Sequence, residues 1–191
     1  MDRRLAAFFP GIGYTMDRPL LYFSRRIAEH LGYEIRPLPY TGFPQGVRGD
    51  RQKMEECLRI ALTQAESMLS DLDWNVYEDI VFIGKSVGTI AAAALAAENP
   101  VREKIRQVIY TPLEDTFSFP IRDAVAFTGS EDPWTGEGRI QALCAKRNIP
   151  CTVIPGGNHS LESGRWQEDV DNLKSILGET EAFLRGERRK P

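Results

Sequence analysis

Three side chains set far apart along the polymer, Ser86, Asp132 and His159, are of the types that together perform nucleophilic acyl chemistry. A serine hydroxyl attacks poorly at neutral pH unless a base lies within hydrogen-bond reach and a carboxylate orients that base and stabilises it once protonated. Ser86 is the centre of Gly84-Lys85-Ser86-Val87-Gly88, between the β-favouring run Asp79-Ile80-Val81-Phe82-Ile83 and an alanine-rich run from Thr89 to Ala97. Strand, sharp turn and helix are expected in that order. Such a turn strains the backbone of its central residue, and glycines on both sides remove the β-carbons that would strike the neighbouring strand and helix. The plainer alternative is a β-α turn whose serine caps a helix.

Histidine occurs only twice. His30 ends a predicted helix, where the helix dipole accounts for it without chemistry. His159 stands in Pro155-Gly156-Gly157-Asn158-His159-Ser160, a loop after the last predicted strand, free to point back across a sheet edge. The carboxylate should follow a strand and fall between serine and histidine in chain order. Asp132 fits best, in Gly129-Ser130-Glu131-Asp132-Pro133-Trp134, although an Asx turn leading to Trp134 would use the same residue. Glu131 is its nearest rival, and Asp115 and Glu114 after the preceding strand are a second alternative.

Acyl transfer also needs N–H donors for the oxyanion of the tetrahedral intermediate, each worth roughly 3 kcal/mol. One candidate is the backbone of Val87, just after the serine. The other is Ile12, with Gly13 next, in the turn Pro10-Gly11-Ile12-Gly13-Tyr14-Thr15. Candidates for substrate contact are Gly13, Tyr14, Phe43, Lys85 and Trp134, and further cover could come from Tyr40, Pro44, Phe117 or Phe119. Lys85 reads either as a solvated charge or as a cation favouring an acidic acyl group. No residues have metal-ligand spacing, and no glycine loop has nucleotide-binding spacing, so no metal or cofactor is expected.

The elements that must position these groups are legible as alternating patterns. Leu5 to Phe9, Tyr33 to Leu38, the run before Gly84, Gln107 to Tyr110, Ala124 to Thr128 and Cys151 to Ile154 read as strands. Helical spacing covers Arg18 to Leu31, Asp50 to about Leu72, the alanine-rich run, Arg139 to Arg147 and Arg165 to Leu184; Phe23, Trp166 and Val170 count among the core-facing residues. Six strands interleaved with helices imply a three-layer α/β/α sandwich with a mainly parallel six-stranded sheet. The loops at 10–15, 84–88, 129–134 and 155–160 all follow strands and should meet at one sheet edge, where such folds bind ligands.

The chain of 191 residues is long enough for one domain, expected to span 1–191. With 42% hydrophobic residues, 27% charged residues and a net charge of −3, it gives no electrostatic reason to expect nucleic acid or a membrane as partner. Arg185, Arg188, Arg189 and Lys190 read as a solvated basic tail. The apolar run after Arg4 is too short for a signal-peptide core, and no stretch approaches a membrane span. Three cysteines, Cys57, Cys144 and Cys151, argue against a disulfide framework and for the cytoplasm.

Gly84-Lys85-Ser86-Val87-Gly88, Gly129-Ser130-Glu131-Asp132-Pro133 and Gly156-Gly157-Asn158-His159-Ser160, in that order, resemble the α/β-hydrolase superfamily over nearly the whole chain. Pro10-Gly11-Ile12-Gly13 with Met16-Asp17-Arg18-Pro19 is similar to the oxyanion loop of its small, cap-less, dienelactone-hydrolase-like members. The resemblance implies Ser86 as nucleophile, Asp132 as acid and His159 as base. Proline replaces the histidine often found before the first loop glycine, and there is no room for the usual antiparallel N-terminal strands or an inserted cap. The expectation is a serine hydrolase of a small ester or thioester, monomeric or homodimeric. A silent binding module of the same fold, an acyltransferase and a peptidase are the alternatives.

Overall fold

The structure, a computed structural model, describes residues 3–187; Met1, Asp2 and the Arg188, Arg189 and Lys190 of the expected basic tail lie outside the described residues. Strands form at Arg3–Phe9 (β1), Tyr33–Pro37 (β2), Tyr77–Lys85 (β3), Ile105–Tyr110 (β4), Asp123–Gly129 (β5) and Cys151–Ile154 (β6). Helices form at Pro19–His30 (α1), Arg51–Leu69 (α2), Val87–Glu98 (α3), Arg139–Ala145 (α4) and Trp166–Leu184 (α5). The six strands make one sheet in the order β2-β1-β3-β4-β5-β6, and every neighbouring pair is parallel. Between β4 and β5 the crossover carries only the 3₁₀ turn Glu114–Ser118.

Alternation along the strands sorts the apolar residues between two layers. Ala6, Phe8, Val81, Ile83, Val108 and Phe127 face one way and meet Leu20, Leu21 and Ala28 of α1 and Ile176 and Leu184 of α5. Leu5, Ala7, Phe9, Ile80 and Phe82 face the other way, against Ala61 and Ala65 of α2 and Ala91 and Ala92 of α3. Farther along that second face, Ile140 and Cys144 of α4 cover Ile109, Ala124 and Ala126. Because α3 is buried on nearly all sides, its alanines let sheet and α2 approach closely while keeping helix propensity high. Local chemistry fixes the ends of two helices. Pro19 opens α1, and the Asp50 carboxylate caps α2 by accepting from the Lys53 N–H at 3.1 Å.

Three apolar residues expected in the core stand outside it. Trp166 and Val170 are 71% and 57% exposed, and Phe23 is 43% exposed. The buried residues of α5, Ile176, Thr180 and Leu184, all lie in its carboxyl-terminal half, with Leu173 partly buried just before them, so the first two turns, which carry Trp166 and Val170, stand outside the core. On α1 the inner face is Leu20, Leu21, Ser24 and Ala28, leaving Phe23 edge-on to Tyr22 at the flank.

At the amino-terminal edge of the sheet a polar cluster ties α5 down. Arg106 donates to both carboxylate oxygens of Asp79 at 2.9–3.1 Å and to the Leu184 carbonyl at 3.3 Å. Arg4 makes a second ion pair with Asp79 at 3.4 Å, and the Tyr33 hydroxyl lies between Asp79 and the Leu184 carbonyl. Every charge in this cluster has an opposite partner.

Candidate active site

Strand order reverses between β1 and β3, since the chain leaves β1 for β2 on one side and returns to β3 on the other. The crevice beyond the carboxyl ends of these strands is where a parallel sheet can hold a ligand. Ser86 lies there, at φ 55° and ψ −125°, a conformation that side chains rarely adopt. Its N–H donates to the Tyr110 carbonyl at 3.1 Å, and its carbonyl accepts from the Thr89 N–H at 2.9 Å and the Thr89 hydroxyl at 2.7 Å. The two glycines of the turn have separate reasons. A β-carbon at Gly88 would lie 2.0 Å from the Phe9 carbonyl oxygen, and one at Gly84 would lie 2.9 Å from the Thr89 Cα. Strand β1, the turn and α3 fit together only with those carbons missing.

The β5 and β6 loops are joined in the same way. A β-carbon on Gly129 would fall 2.0 Å from the Gly157 carbonyl oxygen, so the loops pass backbone to backbone. Three hydrogen bonds hold them: Ser130 N–H to the Ile154 carbonyl, Glu131 N–H to the Gly157 carbonyl, and Gly156 N–H to the Ser130 hydroxyl. This clamp sets Asp132 beside His159. Asp132 Oδ1 accepts from the Trp134 N–H at 2.9 Å and Oδ2 meets His159 Nδ1 at 2.7 Å, so the Asx turn and the contact with the imidazole coexist in one carboxylate. Nε2 of His159 lies 2.8 Å from Ser86 Oγ. The Trp134 ring packs on the imidazole with centroids 5.3 Å apart.

Burial shapes the electrostatics. The Asp132 side chain is fully buried, and that of His159 is 17% exposed. Burial pushes the imidazole below its usual 6.5; the Asp132 hydrogen bond opposes this and the Lys85 charge adds to it. Its uncharged form, the one able to accept a proton, is favoured at neutral pH.

The β1–α1 loop lies against the serine. A β-carbon on Gly11 would be 3.1 Å from Ser86 Cβ, and Gly11 and Tyr14 close the turn through reciprocal backbone hydrogen bonds of 3.2 and 3.3 Å. Ile12, Gly13 and Val87 have N–H groups without an acceptor among the described residues, Val87 being the first residue of α3. A cleft of about 690 Å³ opens over Ser86 and His159. Ile12, Gly13, Tyr14, Phe43 and Trp134 line it, and Pro44 adds to the same wall.

Other expectations are corrected. Lys85 is 1% exposed and so is not a solvated charge, although it forms part of the cleft wall. Tyr40 packs away from the cleft against the α2 layer, and Phe117 is buried under α4. Glu114 is paired with Arg139 at 2.8 Å, and both Asp115 and Glu131 are exposed. Three further charged residues line the cleft, Arg18, Arg48 and Glu162; the sequence reading has Arg18 only within the Met16-Asp17-Arg18-Pro19 motif and does not single out the other two. Each lies in a loop or at a helix start, where its type alone looks like ordinary solvation. Among the described residues no His, Cys, Asp or Glu cluster could hold a metal, and no helix is long and apolar enough to cross a membrane.

No family model matches the chain, and no curated protein matches it in sequence. Solved structures do match it in shape. A Xanthomonas campestris protein of the α/β-hydrolase superfamily is 14% identical with a TM-score of 0.65, over 97% of this chain and 99% of its own. Est1E from Butyrivibrio proteoclasticus, solved with ferulic acid bound, is 13% identical with a TM-score of 0.69, over 97% and 90%. The Pyrococcus furiosus esterase Pf2001 is 13% identical with a TM-score of 0.64, over 97% and 83%. At such identities the likeness is one of architecture: the chain has the α/β-hydrolase fold, with an all-parallel six-stranded sheet.

Proposed function

We propose that this protein is a serine hydrolase that cleaves a carboxylic ester or thioester of a small substrate through an acyl-enzyme. The observation that carries this reading is the unbroken line from Asp132 Oδ2 to His159 Nδ1 at 2.7 Å and from His159 Nε2 to Ser86 Oγ at 2.8 Å, ending in an open cleft. Ser86 Oγ attacks the carbonyl carbon while His159 Nε2 takes the hydroxyl proton. The carbonyl oxygen becomes an oxyanion, for which the free N–H groups of Val87 and Ile12 are the donors. The tetrahedral intermediate collapses, the alcohol or thiol leaves with the proton from His159, and Ser86 keeps the acyl group. Water then attacks the acyl-enzyme with His159 as base, releasing the acid and restoring the serine.

Pf2001, an esterase by name, supports hydrolysis as the general activity. The three free cysteines suit a reducing compartment such as the cytoplasm. Wild-type protein should release p-nitrophenol from p-nitrophenyl butyrate, and Ser86→Ala should reduce kcat by at least about 10³-fold. A wild type that hydrolyses no activated ester would favour a silent binding module instead.

A further inference from the structure

Among the described residues Lys85 is the one fully buried lysine, and the relay described above does not use it. Its stem runs beside Gly11, whose β-carbon would be 3.6 Å from Lys85 Cγ, and its Nζ lies 4.9 Å from the centre of the Tyr14 ring. Among the described residues Nζ has the Tyr14 ring beside it and no hydrogen bond or ion pair. The Tyr14 ring is a weak substitute for lost hydration, because a ring face attracts a cation far less than a carboxylate does. Burial pulls the ammonium down to about 7, against the opposing charges of Asp132 and Glu162, neither of which touches it. A buried cation of this kind, forming the wall of an open cleft beside the nucleophile, lacks an anion.

The mouth of the cleft has the same sign. Arg18 and Arg48 line it, both exposed and neither in an ion pair among the described residues, and Glu162 is the single opposing carboxylate. With Lys85 charged, three cations face one anion across the space a substrate must enter. A neutral ester would leave Lys85 unmatched in a partly dehydrated site. An anionic oxygen group would match it, and the arginines would draw such a substrate in.

We propose that the substrate carries a negatively charged oxygen group, seated at Lys85 and guided by Arg18 and Arg48, while its ester or thioester carbonyl lies at Ser86. This rests on the hydrolase reading and makes it specific. Lys85 is then a specificity-determining residue, with its charge supplied to the ligand and not to the protein's own fold.

The test uses two matched pairs of esters with a carboxylate as the probe anion. Mono-p-nitrophenyl glutarate against p-nitrophenyl valerate places the charge in the acyl half; 4-acetoxybenzoate against its methyl ester places it in the alcohol half. In the wild type the anionic member of one pair should be favoured about tenfold or more in kcat/KM, and the pair that responds tells which half carries the charge. Lys85→Met should bring that ratio close to one, whatever happens to the absolute rates. Arg18→Gln and Arg48→Gln, both at exposed positions, should lower it part of the way, chiefly through KM, and 0.5 M salt should do the same. Equal rates within both pairs in the wild type, or an undiminished ratio in folded Lys85→Met, would overturn the inference and leave the hydrolase reading standing. Absence of turnover of all four esters, with no labelling by a fluorophosphonate, would overturn both.

Discussion

The two edges of the sheet treat buried charge in opposite ways. At the amino-terminal edge Asp79 is enclosed by Arg106, Arg4 and the Tyr33 hydroxyl, and the cluster fastens the last turn of α5 to the strands. At the carboxyl-terminal edge Lys85 is buried without an ionic partner and Ser86 holds a strained backbone. The first arrangement satisfies every charge and has no further chemistry to offer. The second leaves donors and a cation unsatisfied around a cleft, which costs stability and gives a substrate something to bind. The same fold thus keeps its structural and its chemical polar groups at opposite ends of the strands.

Substitutions on the two edges should therefore behave differently. The largest effect is expected for Asp132→Asn, which keeps the size of the side chain but favours the wrong imidazole tautomer. Ester turnover should fall by about 10³–10⁴-fold with only a small change in melting temperature. Asp79→Ala should do the reverse. It strands Arg106 and should cost about 3 kcal/mol in urea unfolding, while kcat of the folded protein at low temperature is retained. Loss of activity in step with Asp79→Ala, measured where the variant is fully folded, would show that the two edges are coupled.

Lys85→Met should stabilise the protein by about 1–2 kcal/mol, because a linear apolar side chain replaces a buried unpaired ammonium. The sign of the pH dependence follows. Folded Lys85 loses its proton near 7 and unfolded Lys85 near 10.5, so between those values the unfolded chain binds more protons and this residue's penalty shrinks as pH rises. The advantage of Lys85→Met should be greatest below pH 7 and fade above it. Tyr14, Asp132, Glu162 and His159 are the titratable groups around Lys85, and they are unchanged in the comparison.

The smallest expected effect concerns the acid limb of activity. His159 must be uncharged to act as base, and its proton is held below 6.5 by burial and by Lys85. For a neutral ester, kcat/KM should rise with an apparent pKa below 6.5 and level off near neutrality. In Lys85→Met that limb should move to higher pH, since a neighbouring positive charge has been removed.

Much of this is legible in the sequence. Strand runs such as Ile80 to Ile83 and the glycine pairs around Ser86 follow from local sterics, which a sequence carries directly. The carboxyl-edge convergence of residues 86, 132 and 159 followed from strand alternation alone, because parallel strands send all their outgoing loops to one side. What the sequence does not carry is position and distance. Burial on α5 is confined to its carboxyl-terminal half, so Trp166 and Val170 in the first two turns are exposed, and helical spacing alone does not mark where the cover of the core ends. Lys85 was visible, but its burial depends on the β1–α1 turn folding over it. The closeness of Gly129 and Gly157, which sets Asp132 against His159, is a contact between segments nearly thirty residues apart.

The central claim is that Ser86 is an activated nucleophile because His159 reaches it. Intact-mass and peptide mapping after treatment with a fluorophosphonate at pH 7.5 addresses this directly. A single adduct on Ser86 is expected in the wild type, slowed by about 10³-fold in His159→Gln and absent in Ser86→Ala. An unmodified wild type, or an adduct on Ser86 that forms equally fast in His159→Gln, would contradict it.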